Sequence, residues 1–428
     1  MLATALSTLI VLILLSLPVA AVMGVLGLVL AELFSPMPLV RTLGDIAWST
    51  STNNLLVAIP MFVLLGEILL RTGVSARMYM ALSHWLGWLP GGLMHSNIGT
   101  SALFAATSGS SVATAATVGT VALPEVPVHG YNERLFLGTL AAGGTLGILI
   151  PPSINMIIYA VMTNTSLPSL YLAGILPGLL LAGLFMALIA AACLINPRWG
   201  GRRIETSWRA RLSSIPHLMP PAAIFAVVVG SIYAGFATPT EAAALGVIAA
   251  LILAAMFRAL SLRVLLTAFE GTMRTTAMII LIIIAAYFLN LVFAAIGIAD
   301  AMEHFVTTLG LGPYQTILVI AAFYILLGCF METLSMMIAT VPIVTPIVVS
   351  LGFDPVWFGI VLMLLLETAL VTPPIGLNLF VVQSIRPARG SMNDVMVGAI
   401  PFVGMLLVMI GLVIAVPDIA LWLPGLLR

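Results

Sequence analysis

Residues 103–160 read LFAATSGSSVATAATVGTVALPEVPVHGYNERLFLGTLAAGGTLGILIPPSINMIIYA, and the rest of the chain is organised around them. A segment of small residues is interrupted at Ser108, Gly109, Ser110 and Ser111. It turns over 124–131 and runs on into a helical stretch broken by Pro151 and Pro152. The same plan returns at 329–382: CFMETLSMMIATVPIVTPIVVSLGFDPVWFGIVLMLLLETALVTPPIGLNLFVV. Laid over one another without gaps, at an offset of 222 residues, the copies match Pro124 with Pro346, Gly130 with Gly352, Pro151 with Pro373 and Pro152 with Pro374. The residues that shape backbone repeat while ordinary apolar ones do not, which is the mark of an internal structural repeat.

The composition sets the solvent. Apolar residues make up 62% of the chain and charged residues 7%, and the mean hydropathy is +1.22. A soluble domain is roughly half apolar and about a quarter charged. Several apolar runs exceed the ~20 residues that a helix needs to cross a bilayer, so an all-α polytopic membrane protein follows. The short alternating segments of a transmembrane barrel are missing. A formal net charge of zero gives no case for nucleic acid as a partner. Cys193 and Cys329 lie in apolar runs and read as small hydrophobes, not as a disulfide or metal framework. The first thirty residues have no basic start and read as a retained helix.

In order, the chain divides into an N-terminal helix and loop (1–52), a first repeat (53–193), a polar linker with connecting helices (194–275), a second repeat (276–384) and a C-terminal helix (385–428). The first helix is expected over 3–30. The first repeat holds an amphipathic, interface-lying segment at 71–88, a re-entrant hairpin at about 91–123 with its tip at Gly109 to Ser111, and a broken helix at 133–162. The second holds an amphipathic counterpart at 297–309, a hairpin at about 312–349 that breaks at Glu332 and Thr333, and a broken helix at 356–384. The linker core, 196–214, carries five arginines against Glu205, with helices expected to follow at 217–233, 240–257 and 277–293.

Arginine placement orients the chain. With the linker in the cytoplasm, only Arg41 and Arg428 fall outside. The N-terminus is then inside and the C-terminus outside. The first hairpin enters from the cytoplasm and the second from the opposite face, so the repeats are inverted.

Inverted repeats with helices broken at mid-membrane point to a secondary transporter. A break frees backbone N–H and C=O groups that lipid cannot satisfy, so it faces protein, water or a ligand. Freed carbonyls suit Na⁺, and half-helix N-termini suit an anion. Gly109, Gly147 and Gly376 allow close backbone approach. The hydroxyls of Ser110, Ser111, Ser153, Thr333 and Thr372 are hard oxygen ligands. Neither hairpin carries lysine or arginine, so an anion would be held by helix dipoles, hydroxyls and amides.

These residues carry a resemblance. GSSVATAATVGT (109–120), GGTLGILIPPSINMIIYA (143–160), ATPTEAAALG (237–246) and TPPIGLNLFV (372–381) occur in one order, and over essentially its whole length the chain resembles the large, DctM-type membrane subunit of the tripartite ATP-independent periplasmic (TRAP) transporters. The resemblance implies an elevator carrier in the bacterial inner membrane, a transport core moving against scaffold helices, driven by Na⁺ as coupling ion and taking up a dicarboxylate, sialic acid or similar carboxylate. It also implies a separate four-helix DctQ-type subunit, a periplasmic substrate-binding protein and surrounding membrane lipid as partners. Carried over residue by residue, one ion site would use Ser110, Ser111 and backbone near Gly147, and Ser153 and Asn155 are further Na⁺ candidates. A second would use Thr333, Thr372, Pro373 and Gly376. Glu332, where the family more often has aspartate, would serve a third ion or close a gate. Ser108, Gly109, Pro151, Pro152, Pro374 and Asn378 would face substrate.

The same residues admit other readings. A carboxylate carrier of similar architecture, coupled to protons or Na⁺ and working without a binding protein, is the alternative; protons would act through Glu332. An intramembrane serine protease needs a histidine beside Ser110 or Ser111, and the five histidines lie near predicted membrane surfaces, where packing is their expected role. Glu67 and Glu367 are intramembrane carboxylates and as such candidates for function. Glu241 reads as a first-turn helix residue whose charge suits the dipole.

Overall fold

The computed structural model describes residues 2–15, 17–202, 206–297, 310–386 and 390–426. The amphipathic segment expected at 297–309 lies outside the described residues from 298 on, as do Arg203, Glu205, Arg389 and Arg428. The described chain is helical throughout, and seven helices are long and apolar enough to cross a membrane, or eight if one bent pair counts as a span.

The first helix is not continuous. It divides into α1 (Leu2–Leu14) and α2 (Val19–Phe34), with Pro18 at the N-cap of α2. Proline has no N–H to donate to the preceding turn, and it begins helices better than it continues them. A loop and α3 (Leu43–Ser51) lead to α4 (Ala58–Arg71) and α5 (Val74–Leu86). The last two meet at a 69° bend, where Thr72 ends α4 and Gly73 has a φ of 69°.

The first hairpin is α6 (Leu93–Ser108) and α7 (Ser111–Ala122). The turn after it is a short helix, α8 (Glu125–His129). The first broken helix is α9 (Glu133–Leu149) and α10 (Ile154–Thr163), followed by the span α11 (Leu167–Ile195).

The linker is shorter than its composition suggested. Ser207 accepts from the Ala210 N–H at 3.2 Å and starts α12 (Trp208–Tyr233), which takes in part of the arginine-rich stretch and continues through Pro216, Pro220 and Pro221. After α13 (Pro239–Met256), the segment holding Arg263 and Arg274 is the first part of one 34-residue helix, α14 (Leu262–Ala295). At 1.5 Å per residue that is about 50 Å, beyond the ~30 Å of bilayer hydrocarbon, so arginines at one end need not enter lipid.

The second hairpin is α15 (Pro313–Gly328) and α16 (Thr333–Ser350). The second broken helix is α17 (Pro355–Val371) and α18 (Leu377–Ser384), and α19 (Met392–Ala415) and α20 (Asp418–Leu426) close the chain. Element bounds recur at the sequence offset. Both ends of α17 fall 222 residues after those of α9, and their capping residues Asn132 and Asp354 stand at the same spacing.

The core sits on α9 and α17. Every residue of α17 after Pro355 is buried, as is every residue of α9 from Leu135 on. A helix apolar on all sides belongs at the centre of a bundle. Around α9 pack α6, α7, α11, α17, α18 and α19, while α2 packs on α14, α13 on α4, and α4 on α14. At one end of the core Arg386, 5% exposed, pairs with Glu133 at 2.6 Å and with Asp394 at 3.5 Å, and Arg134 joins Asp394 at 2.9 Å. This network ties the start of α9 to the end of α18 and the start of α19.

Removing Arg386 leaves two neighbouring carboxylates without their shared cation. Arg386→Met is expected to cost about 2–3 kcal/mol, below the value for a fully buried pair because Glu133 is half exposed. Arg134→Ala, at an exposed arginine, is expected to cost under about 1 kcal/mol. Denaturant unfolding of the purified protein measures both, and equal losses would refute the ranking.

Candidate functional site

At the first hairpin tip, α6 ends because Gly109 takes a φ of 61°. A Cβ there would meet the Pro152 carbonyl oxygen at 2.8 Å, so the tip lies directly on the break of α9–α10. Ser110 is the N-cap of α7. Its Oγ accepts from the Ala113 N–H at 3.4 Å, and its carbonyl accepts from Thr114 Oγ1 at 2.7 Å. Ser108 Oγ and Thr114 Oγ1 stand 3.1 Å apart and cross-link the two arms. Gly147 of α9 lets this backbone in, since a Cβ on it would lie 2.8 Å from the Ser110 carbonyl carbon and 2.9 Å from the Ser111 nitrogen.

Past the cis Pro151–Pro152 bond, Ser153 is 1% exposed with no partner for Oγ, and Asn155 is 6% exposed with no partner for Nδ2.

The second tip is built differently. Glu332 is the N-cap of α16. One carboxylate oxygen accepts from the Leu334 N–H at 3.0 Å and from Thr333 Oγ1 at 3.3 Å. The other accepts from the Ser335 N–H at 3.0 Å and Ser335 Oγ at 3.1 Å. All four donors belong to the first turn of its own helix. In the second broken helix Thr372 Oγ1 donates to the Thr368 carbonyl at 2.6 Å, and the Thr372 carbonyl accepts from the Gly376 N–H at 3.1 Å. The Pro373 carbonyl, beside the cis bond to exposed Pro374, faces Cys329 Sγ at 3.6 Å.

The two tips share one cavity of ≈ 100 Å³, lined among others by Gly109, Ser110, Ser111, Asn155, Glu332 and Thr333. It has room for several waters or a small carboxylate. Ser108 lines an adjoining hollow of ≈ 80 Å³. Gly147, Pro151, Pro152, Ser153, Thr372, Pro373, Pro374 and Gly376 are not in the lining of the shared cavity; they form or support the breaks behind it. Asn378 is also apart: it is fully buried and donates Nδ2 to the Ala141 carbonyl of α9 at 3.1 Å. A larger hollow of ≈ 420 Å³ between α6, α11 and α12 has only apolar side chains and glycine in its lining and offers no site chemistry.

Sequence reasoning missed the wall opposite the tips. Thr275 and Ile279 of α14 line the shared cavity, and Thr275 also lines the smaller one. Neither lies in a motif, so only the folded packing reveals them. Glu67 lines the smaller hollow and pairs with Arg71. Glu367 is fully buried on α17; Oε2 accepts from Thr145 Oγ1 at 3.5 Å and Oε1 has no partner. Its signal was present in the sequence, as a carboxylate in an apolar run. Glu241 sits in the first turn of α13 and closes a capping box with the N-cap Thr238: its Oε2 accepts from the Thr238 N–H at 2.7 Å, and Thr238 Oγ1 accepts from the Glu241 N–H at 3.4 Å.

Among the described residues no three histidine, cysteine or carboxylate side chains come together. The donors near the breaks are hydroxyl, amide and carbonyl oxygens, the set that a hard monovalent or divalent cation prefers. The unpartnered Ser153 Oγ is one such oxygen, buried behind the first tip.

The family model for the tripartite ATP-independent periplasmic transporter, DctM component, matches residues 6–419. The chain is 34% identical over 406 residues to the C4-dicarboxylate TRAP transporter large permease protein DctM of Pseudomonas aeruginosa, covering 94% of this chain and 93% of that one. It is 30% identical over 376 residues to the sialic acid TRAP transporter large permease protein SiaM of Vibrio cholerae, covering 87% of each. Among solved structures it is similar in fold to the YdaH transporter of Alcanivorax borkumensis, with a TM-score of 0.58 at 16% identity over 96% of this chain and 98% of that one.

The Gly147 contact makes a sharp test of tip geometry. Gly147→Ala is expected to overpack the tip and cost about 1–3 kcal/mol, read as a lower unfolding temperature. Gly183→Ala, where a Cβ meets nothing within 4 Å, is the control and is expected to be neutral or slightly stabilising. Equal effects would show that the tip yields freely.

Proposed function

The chain belongs to the DctM component family of the tripartite ATP-independent periplasmic transporters, and from that premise we propose that it is the large permease subunit of a Na⁺-coupled carrier that takes up a small organic acid across the bacterial inner membrane. It is a multi-pass membrane protein and a transporter, not an enzyme. The observation that carries the finer reading is the cavity into which Ser110, Ser111, Asn155, Glu332 and Thr333 converge from both hairpins and the first broken helix.

A carboxylate substrate is in keeping with the names of the relatives, one a C4-dicarboxylate and one a sialic acid permease. Na⁺ would supply the charge that offsets that carboxylate in a low-dielectric site. Ser110, Ser111 and backbone at Gly147 would hold one ion, and Thr333, Thr372, Pro373 and Gly376 a second. The residues of the chain do the rest. Gly109 and Gly147 bring the first tip onto the break. Thr114 and Ser108 hold its arms together. Glu332 fixes the start of α16.

Elevator movement is the mechanism we favour. Both hairpins and both broken helices pack around α9 and α17, and the Arg386 network clamps one end of that body. The helices α2, α4, α13 and α14 form mutual contacts beside it, and Thr275 of α14 lies across the cavity from the tips. A rigid core sliding past this frame would carry the cavity from one face to the other. Inverted repeats, with the N-terminus inside and the C-terminus outside, complete the scheme. A separate four-helix DctQ-type subunit and a periplasmic binding protein are the partners proposed.

Uptake by proteoliposomes holding the carrier and its small subunit, fed by the loaded binding protein, tests this. An inward Na⁺ gradient is expected to drive accumulation and an equal K⁺ gradient is not. Ser111→Ala and Thr372→Ala are expected to raise half-saturating Na⁺ by about tenfold each, the equivalent of one lost ligand contact. Uptake that ignores Na⁺ and follows a pH gradient would replace this reading with proton coupling.

A further inference from the structure

Three helices line two hollows at different depths. The cavity between the tips is walled by α10 through Asn155, by α14 through Thr275 and Ile279, and by α16 through Thr333 and Leu334. The same three helices wall a larger hollow of ≈ 370 Å³, whose polar lining is Thr163 of α10, Asn290 of α14 and Thr345 of α16. On each helix the larger hollow lies nearer the C-terminal end. On α14 that is the end away from Arg263 and Arg274. The two hollows are successive stations on one seam, with α10 and α16 of the core on one side and α14 of the frame on the other.

The spacing of the stations matches across the seam. On α14, Ile279 and Asn290 are eleven residues apart; on α16, Leu334 and Thr345 are eleven residues apart. Eleven residues span about 17 Å and return to within about 20° of the same helix face. Sliding α16 along α14 by that amount sets Leu334 where Thr345 now stands. The tip then faces Asn290 in place of Ile279 and Thr275.

Asn290 is a costly residue for its position. From Ala277 to Ala295, α14 carries two polar side chains, Tyr287 and Asn290. The Tyr287 hydroxyl donates to the Val161 carbonyl of α10 at 3.4 Å. Asn290 is half-buried in the wall of the hollow. An amide at membrane depth is expensive unless it meets a polar partner. Its two N–H donors suit a carboxylate and its oxygen suits a hydroxyl.

We propose that Asn290 is the frame's contact with the transported acid in the opposite conformation, as Thr275 is in the one described. This rests on the elevator reading and goes beyond it by naming the residue that meets the acid at the far end of the travel. The frame then offers a hydroxyl at one station and an amide at the other. Asn290 sets affinity for the acid in the opposite conformation and is silent in this one.

The test traps each conformation in the full chain carrying Cys193→Ala and Cys329→Ala. Ala294→Cys with Val349→Cys pairs residues that share the larger hollow. Ala294→Cys with Ile338→Cys pairs Ala294 with the residue eleven positions earlier on α16, which comes opposite only after the slide. Both pairs leave Asn290 and the tips intact. Hg²⁺ is expected to bridge each, dithiothreitol to release it, and either bridge to stop Na⁺-driven uptake in proteoliposomes. In lipid nanodiscs at constant Na⁺, thermal stabilisation of each bridged form is then read against succinate and N-acetylneuraminate. Asn290→Ala is expected to weaken the better-bound acid by about tenfold in the 294–338 form and by less than about twofold in the 294–349 form, the loss of one hydrogen bond to a charged group. Thr275→Val is expected to do the reverse, and Asn290→Gln, which keeps the amide, to weaken binding less than alanine. The inference alone is overturned if Asn290→Ala weakens both forms alike or neither, if no acid stabilises the 294–338 form, or if the 294–349 bridge stops uptake while the 294–338 bridge never forms. Uptake that continues under the 294–349 bridge overturns the moving core itself.

Discussion

Everything in this molecule follows from what must happen to backbone polar groups when a helix stops inside a membrane. Lipid offers them no hydrogen bonds, and each group left bare costs several kcal/mol. Among the described residues, helices stop against packed neighbours at Gly109, at Pro151–Pro152, at Glu332 and at Pro373–Pro374. The chain handles these stops by bringing hairpin tips and breaks together, so that freed groups meet hydroxyls, amides and each other. The first tip closes on its break so tightly that neither Gly109 nor Gly147 has room for a methyl group.

The surrounding packing serves that meeting. The all-round burial of α9 and α17 encloses the first break, while the second leaves Pro374 and Ile375 exposed. The Arg386 network sits at one end of this core, where three helix termini would otherwise be free to separate. On the far side of the cavity α14 offers Thr275, a residue with no special signature beyond its place in a long helix.

The sequence made the breaks legible because glycine and proline act locally. Gly109, Pro151, Pro152, Pro373 and Pro374 impose their backbone behaviour whatever surrounds them, and their spacing marks the two copies. Pro18 obeyed the same rule and cut a helix that hydropathy alone joined. Long-range matters were less visible. The linker arginines concealed the start of α12, because charge speaks to solvent and not to backbone angle. Thr275 and the pairing of Thr145 with Glu367 depend on how distant helices come to rest, which no local pattern encodes. Glu332 was visible as a carboxylate at a break, but its use as a helix cap required coordinates.

The Thr145–Glu367 contact has a consequence for how such a chain diverges. The two residues are 222 positions apart, so each stands at the register of the other. Most positions in a doubled chain can drift independently of their copies. A residue that touches its own copy cannot. Glutamate at both places would press two carboxylates together in a buried site, and threonine at both would leave no carboxylate at all. The unlike pair sets a hydroxyl donor against a carboxylate acceptor, so at this seam one register carries a neutral residue in one half and an acid in the other.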